Sequence, residues 1–141
     1  MDSQRLEWLV VINAESARVG DGQLTLEGLQ PMGLAFTDRP VRRVRRITTE
    51  KFMAKWEDIF AGGSPNAAVS WLGEDGENTA VVELGTPTSL GKSSAVLPFQ
   101  LLPPEDCIPG VVSGAAAEFV GRLTHVSVFI DKSSLSIANT S

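Results

Sequence analysis

With 141 residues, 43% of them hydrophobic and 21% charged, and a net charge of −5, the chain has the size and balance of one globular domain with one core. A chain of this length buries roughly two thirds of its unfolded surface and stays folded without a disulfide or a metal, and its single cysteine, Cys107, excludes an intramolecular bridge. Residues 1–60 carry nine acids and nine bases and residues 61–141 carry eight and three, so the net acidity lies in the second half; this balance weighs against general nucleic-acid binding.

The start, Met1-Asp2-Ser3-Gln4-Arg5, lacks the basic opening and long apolar run of a secretory signal. The apolar run that follows, Trp8 to Ile12, is far short of the ~20 residues that span a bilayer. A cytoplasmic protein without a membrane anchor is expected. Leu6 to Ile12 is apolar on both strand faces, which suits a central strand covered from both sides. Ala17-Arg18-Val19 and Leu24-Thr25-Leu26 alternate around Gly20-Asp21-Gly22, a turn able to supply the positive φ angles of a tight hairpin. Leu34-Ala35-Phe36 is a third short strand, and Pro40 removes a backbone donor, so the segment after it belongs at a sheet edge.

One helix is expected from about Thr49 to Phe60, where Phe52, Met53, Trp56, Ile59 and Phe60 fall on one stripe. Thr48 or Thr49 would cap it, Gly62-Gly63 would stop it, and Pro65 prevents continuation. An amphipathic helix on a sheet buries such a stripe in the core, with a ligand-lining role for Trp56 as the alternative. Residues 67–72 and 79–84 flank an acidic turn and read as a second hairpin. Ala95 to Leu102 is a strand whose Pro98 points to an edge or bulge, and Leu123 to Ile130 is a last strand. Residues 132–141 read as a disordered polar tail after a single β-rich domain spanning 1–131. The pattern predicts an α+β, mainly β fold: an antiparallel sheet curled into a sandwich or partly open barrel around one amphipathic helix.

Catalytic constellations are sparse. Gly85-Thr86-Pro87-Thr88-Ser89-Leu90-Gly91-Lys92-Ser93 resembles a phosphate-cradling loop, but five residues separate its outer glycines where four are needed, and a strand-like segment follows where a helix is needed. Cys107 follows Glu105 and Asp106, whose charge disfavours the thiolate. His125 is the only histidine; strand alternation puts it on one face with Leu123, Ser127 and Phe129, as a structural residue or as a general base needing a nearby acid. One His and one Cys build no zinc site, and the acidic turn 74–78 lacks calcium-loop spacing, so no metal and no cofactor is expected.

The strongest signal is electrostatic. Arg39, Arg42, Arg43, Arg45 and Arg46 put five arginines into eight residues of an acidic chain, with Val41, Val44 and Ile47 at every third position. An edge strand with arginines on both faces would discourage edge-to-edge pairing. Alternatively, Arg39, Arg43 and Arg45 could clamp a carboxylate or phosphate, with Asp38 orienting Arg39, or the patch could meet the acidic half of a second copy in a homo-oligomer.

Phe36-Thr37-Asp38-Arg39-Pro40, Phe52 and Trp56 on the helix, Ser64-Pro65-Asn66-Ala67, and Phe129-Ile130-Asp131 together resemble a family of small, uncharacterised bacterial proteins. That family carries a Phe-Ser-Asp-Arg-Pro segment, a Phe-x-x-x-Trp helix, a Pro-Asn-Ala strand start and a late Phe-Ile-Asp. The likeness spans most of residues 9–131, with Thr37 in place of the usual Ser and a Gly/Ala-rich insertion at 108–121. It implies no activity or cofactor, only that Asp38, Arg39, Trp56 and Asn66 are neighbours. The expected ligand-binding set is therefore Asp38, Arg39, Arg43, Arg45, Trp56 and Asn66, in a non-enzymatic module for a small anionic ligand or a partner chain. The alternatives are a small hydrolase or isomerase using Asp38 or His125 with Arg39, and a structural homo-oligomer.

Overall fold

A computed structural model describes residues 8–37, 43–61, 63–73, 76–102 and 119–132. Its elements in order are β1 (Trp8–Gly20), β2 (Gln23–Leu29), β3 (Met32–Thr37), β4 (Arg43–Thr48), α1 (Thr49–Ala54), α2 (Trp56–Ile59), β5 (Asn66–Gly73), β6 (Gly76–Leu84), β7 (Ser89–Leu90), β8 (Ser94–Leu101) and β9 (Gly121–Lys132). Every pairing is antiparallel, and six of the strands close a circuit, β1–β2–β8–β6–β5–β9 and back to β1. The circuit has a fork. Along one edge β1 pairs with β3 over Trp8–Val11 and with β2 over Ala14–Gly20, while β9 follows its other edge throughout. At this fork the β3–β4 hairpin leaves the barrel, which makes the fold mainly β with a partly open barrel, as the pattern predicts. No helix among the described residues is long and apolar enough to cross a membrane.

Inward alternation fills the barrel with Val10, Ile12, Leu24, Leu26, Val69, Val82, Leu97, Val128 and Ile130, all nearly inaccessible. The helical segment joins this core through Phe52, Met53, Trp56 and Phe60. Its spacing of four brings the rings together: Phe52–Trp56 centroids lie 5.6 Å apart edge to face, and Trp56–Phe60 centroids 4.7 Å apart. A second aromatic group, Trp71, Phe99 and Phe119, packs with centroids 5.1–5.4 Å apart. The expected single helix is broken at Lys55, whose N–H is shared between the carbonyls of Lys51 and Phe52. The N-terminus also differs. Thr48 occupies the N-cap position but makes no side-chain capping bond, because β4 runs straight into α1 and the Thr49 N–H donates to the Pro31 carbonyl at 2.9 Å.

The first hairpin closes through Gly20↔Gln23 with Asp21 at φ 54° and Gly22 at φ 73°, the two left-handed residues of a type I′ turn. The second hairpin is tighter than expected, since Gly73 already pairs with Gly76. His125 has φ 53°, and the β5–β9 register shifts beside it, between Ser70 and Leu72. This bulge reverses the alternation, so Leu123 and Val126 are both buried while His125 is exposed, and His125 does not share a face with Leu123. Pro98 does not mark an edge, because β8 lies inside the circuit. The Phe99 N–H reaches the β2 side at Gly22, so the missing Pro98 N–H points the other way, into the break between the β7 and β6 pairings. Lys132 ends β9, and the rest of the expected tail lies outside the described residues.

Candidate functional site

Among the described residues, β4 pairs with β3 alone, so one of its edges carries backbone donors and acceptors without a strand partner. Its register assigns the faces. Thr37↔Arg43, Ala35↔Arg45 and Gly33↔Ile47 share one side, and Phe36↔Val44, Leu34↔Arg46 and Met32↔Thr48 share the other. Arg43, Val44, Arg45 and Arg46 are all exposed, Val44 to 64%. The Arg45 guanidinium carbon lies 5.9 Å from the Trp8 ring centroid, a contact of about 0.5–1 kcal/mol at an exposed position. The ion pair found among the described residues, Arg18 with Glu27 at 3.7 Å, lies elsewhere, and no β4 arginine is drawn to a carboxylate there.

The outer face of the same hairpin is apolar. Leu34, Val11, Phe129 and Ala68 stand side by side on β3, β1, β9 and β5, and Phe36 stands beside Leu9 in the next row. The strip is half-buried on the barrel wall and opens at the hairpin, where Met32 and Leu34 are exposed. The sequence hides this inversion, because Met32, Leu34 and Phe36 alternate with Gly33, Ala35 and Thr37, and the smaller set is the buried one. Size alternation was the available signal; hydrophobicity alone selects the wrong side.

Of the expected ligand-binding residues, Arg43 and Arg45 fall together on one face of β4. Trp56 is 2% exposed inside the aromatic cluster and is sealed from the surface. Asn66 is exposed at the start of β5, next to inward Ala67, and β9, β1 and β3 separate it from β4. Of this pair, Trp56 belongs to the core and Asn66 to the surface. Asp38, Arg39 and Cys107 lie outside the described residues. His125 is exposed at its bulge, on the strand where Ser127 donates to Asn13 Oδ1 at 2.7 Å. Among the described residues no group of three or more His, Cys, Asp or Glu side chains could hold a metal ion, and the phosphate-loop look-alike is a turn into β8 with no helix behind it. The chain matches no family model, no curated protein and no solved structure.

Proposed function

We propose that this chain is a non-enzymatic interaction module that receives an extended acidic segment of a partner protein along the free edge of β4. One observation carries the reading: Arg43 and Arg45 project to one face of the edge strand and Arg46 to the other, beside exposed Val44. Arg43 and Arg45 share a face and could meet one small anion, but Arg46 on the opposite face cannot join them, which makes a phosphate or carboxylate metabolite the weaker alternative. An added strand meets both faces at once, because its side chains alternate across the ladder. Main-chain bonds supply affinity, and acidic residues opposite the arginines supply selectivity. Two copies joined β4 to β4 would set arginine against arginine, so this edge disfavours a self-paired dimer.

The test uses isotope-labelled protein titrated with an alternating Glu-Val peptide and a Lys-Val peptide of equal length, read by amide chemical shifts. The acidic peptide is expected to shift β3 and β4 amides, with binding weakened by salt. Arg43→Glu with Arg46→Glu is expected to weaken it about tenfold or more, near 1.4 kcal/mol. Equal responses to both peptides, or shifts that avoid β4, reject the reading.

A further inference from the structure

A concave site distinct from the unpaired edge meets β4 only at its last residue, Thr48. A cleft of about 340 Å³ opens where the start of α1 meets the end of β2 and the β7–β8 turn, which is small for a ligand pocket and sized for a metabolite. Leu29, Met53 and Leu90 supply apolar lining, and Glu50 and Lys92 bring opposite charges to it. Thr49 also lines the cleft. It is 2% exposed, and its Oγ1 is a buried hydroxyl without a hydrogen-bond partner. The helix around it is held by the Thr49 N–H donated to Pro31, so the hydroxyl plays no capping role. Folded proteins rarely leave such a group unpaired, because its desolvation is then uncompensated.

We infer that this cleft binds a small zwitterion with an apolar side chain, a free aliphatic amino acid, with the Thr49 hydroxyl as a ligand contact. A ligand of one charge matches only Glu50 or only Lys92. A zwitterion offers an ammonium to the Glu50 carboxylate and a carboxylate to the Lys92 ammonium, and its side chain covers Leu29, Met53 and Leu90.

Thermal melting and calorimetry with L-leucine test this against two analogues, isoamylamine without the carboxylate and 4-methylpentanoate without the ammonium. L-leucine is expected to raise the melting temperature by mass action, and each analogue to bind about tenfold more weakly or worse. Thr49→Val, nearly isosteric, is expected to melt at or above the wild type without ligand and to bind leucine about tenfold more weakly. Should Thr49→Val fold poorly, the hydroxyl is paired in the free protein and the inference fails; Lys92→Ala, in an exposed turn, tests the carboxylate contact independently. No response to leucine, or equal responses to the analogues, overturns the proposal.

Discussion

The barrel and the β3–β4 hairpin are built from the same antiparallel pairing, yet they leave the chain in different physical states. In the circuit each strand has neighbours on both edges, and its interior side chains are nearly inaccessible. At the hairpin the outer edge is unpaired among the described residues, and large side chains such as Leu34 and Val44 face outward. Closure removes binding edges, and the strand that escapes closure keeps one. The fork in β1 creates this division by sending two strands out of a sheet that closes without them.

The largest expected effect lies in the core. Trp56→Ala removes a ring in contact with both Phe52 and Phe60 and is expected to cost about 3–5 kcal/mol in chemical denaturation. A loss under about 1 kcal/mol would mean that the helical segment is not part of the barrel core.

Gly28→Ala comes next. Gly28 has φ 67°, and a Cβ built on it would lie 2.8 Å from Cβ, Cγ and Oε1 of Glu15. A left-handed alanine with that overlap is expected to cost about 1–3 kcal/mol. Truncating Glu15 to Ala in the same chain should recover only part of the loss, since the Glu15 Cβ stays in the way. Full recovery would place the strain in the side chain rather than in the backbone.

The two regions differ also in how far the sequence reveals them. The type I′ turn was legible because Gly20-Asp21-Gly22 encodes its φ angles locally, and the aromatic stripe was legible because 3.6-residue periodicity is local too. The edge position of β4 followed from Pro40 and the arginine run. The barrel closure and the partner switch at Pro98 depend on which distant strands meet, and composition does not encode that. The Thr49 cleft was hidden for the same reason: its walls come from β2, α1 and the β7–β8 turn.

His125 offers a test whose sign matters more than its size. In a regular strand valine is preferred to glycine within a scale of about 1 kcal/mol. At φ 53° the order should invert, because a β-branched residue is forced into the left-handed region and glycine is not. His125→Gly is expected to stay within about 1 kcal/mol of the wild type, and His125→Val to fall about 1–2 kcal/mol below His125→Gly, judged from denaturation midpoints. Valine outranking glycine would mean that β9 runs through without its bulge.

The smallest change should separate stability from recognition. Val44 is 64% exposed on the outer face of β4, so Val44→Thr keeps the branched shape and is expected to alter stability by less than about 0.5 kcal/mol. In the register that sets the glutamates opposite Arg43 and Arg45, the same hydroxyl would face a valine of the Glu-Val peptide, and binding should weaken about two- to fivefold by calorimetry, as expected for a contact of a few tenths to 1 kcal/mol. The equivalent exchange inside the barrel, Val69→Thr, buries an unpaired hydroxyl and should cost about 1–3 kcal/mol. If Val44→Thr lowered stability as much as Val69→Thr, the hairpin would be covered by the chain's own residues. β4 would then be a sealed wall rather than an open edge.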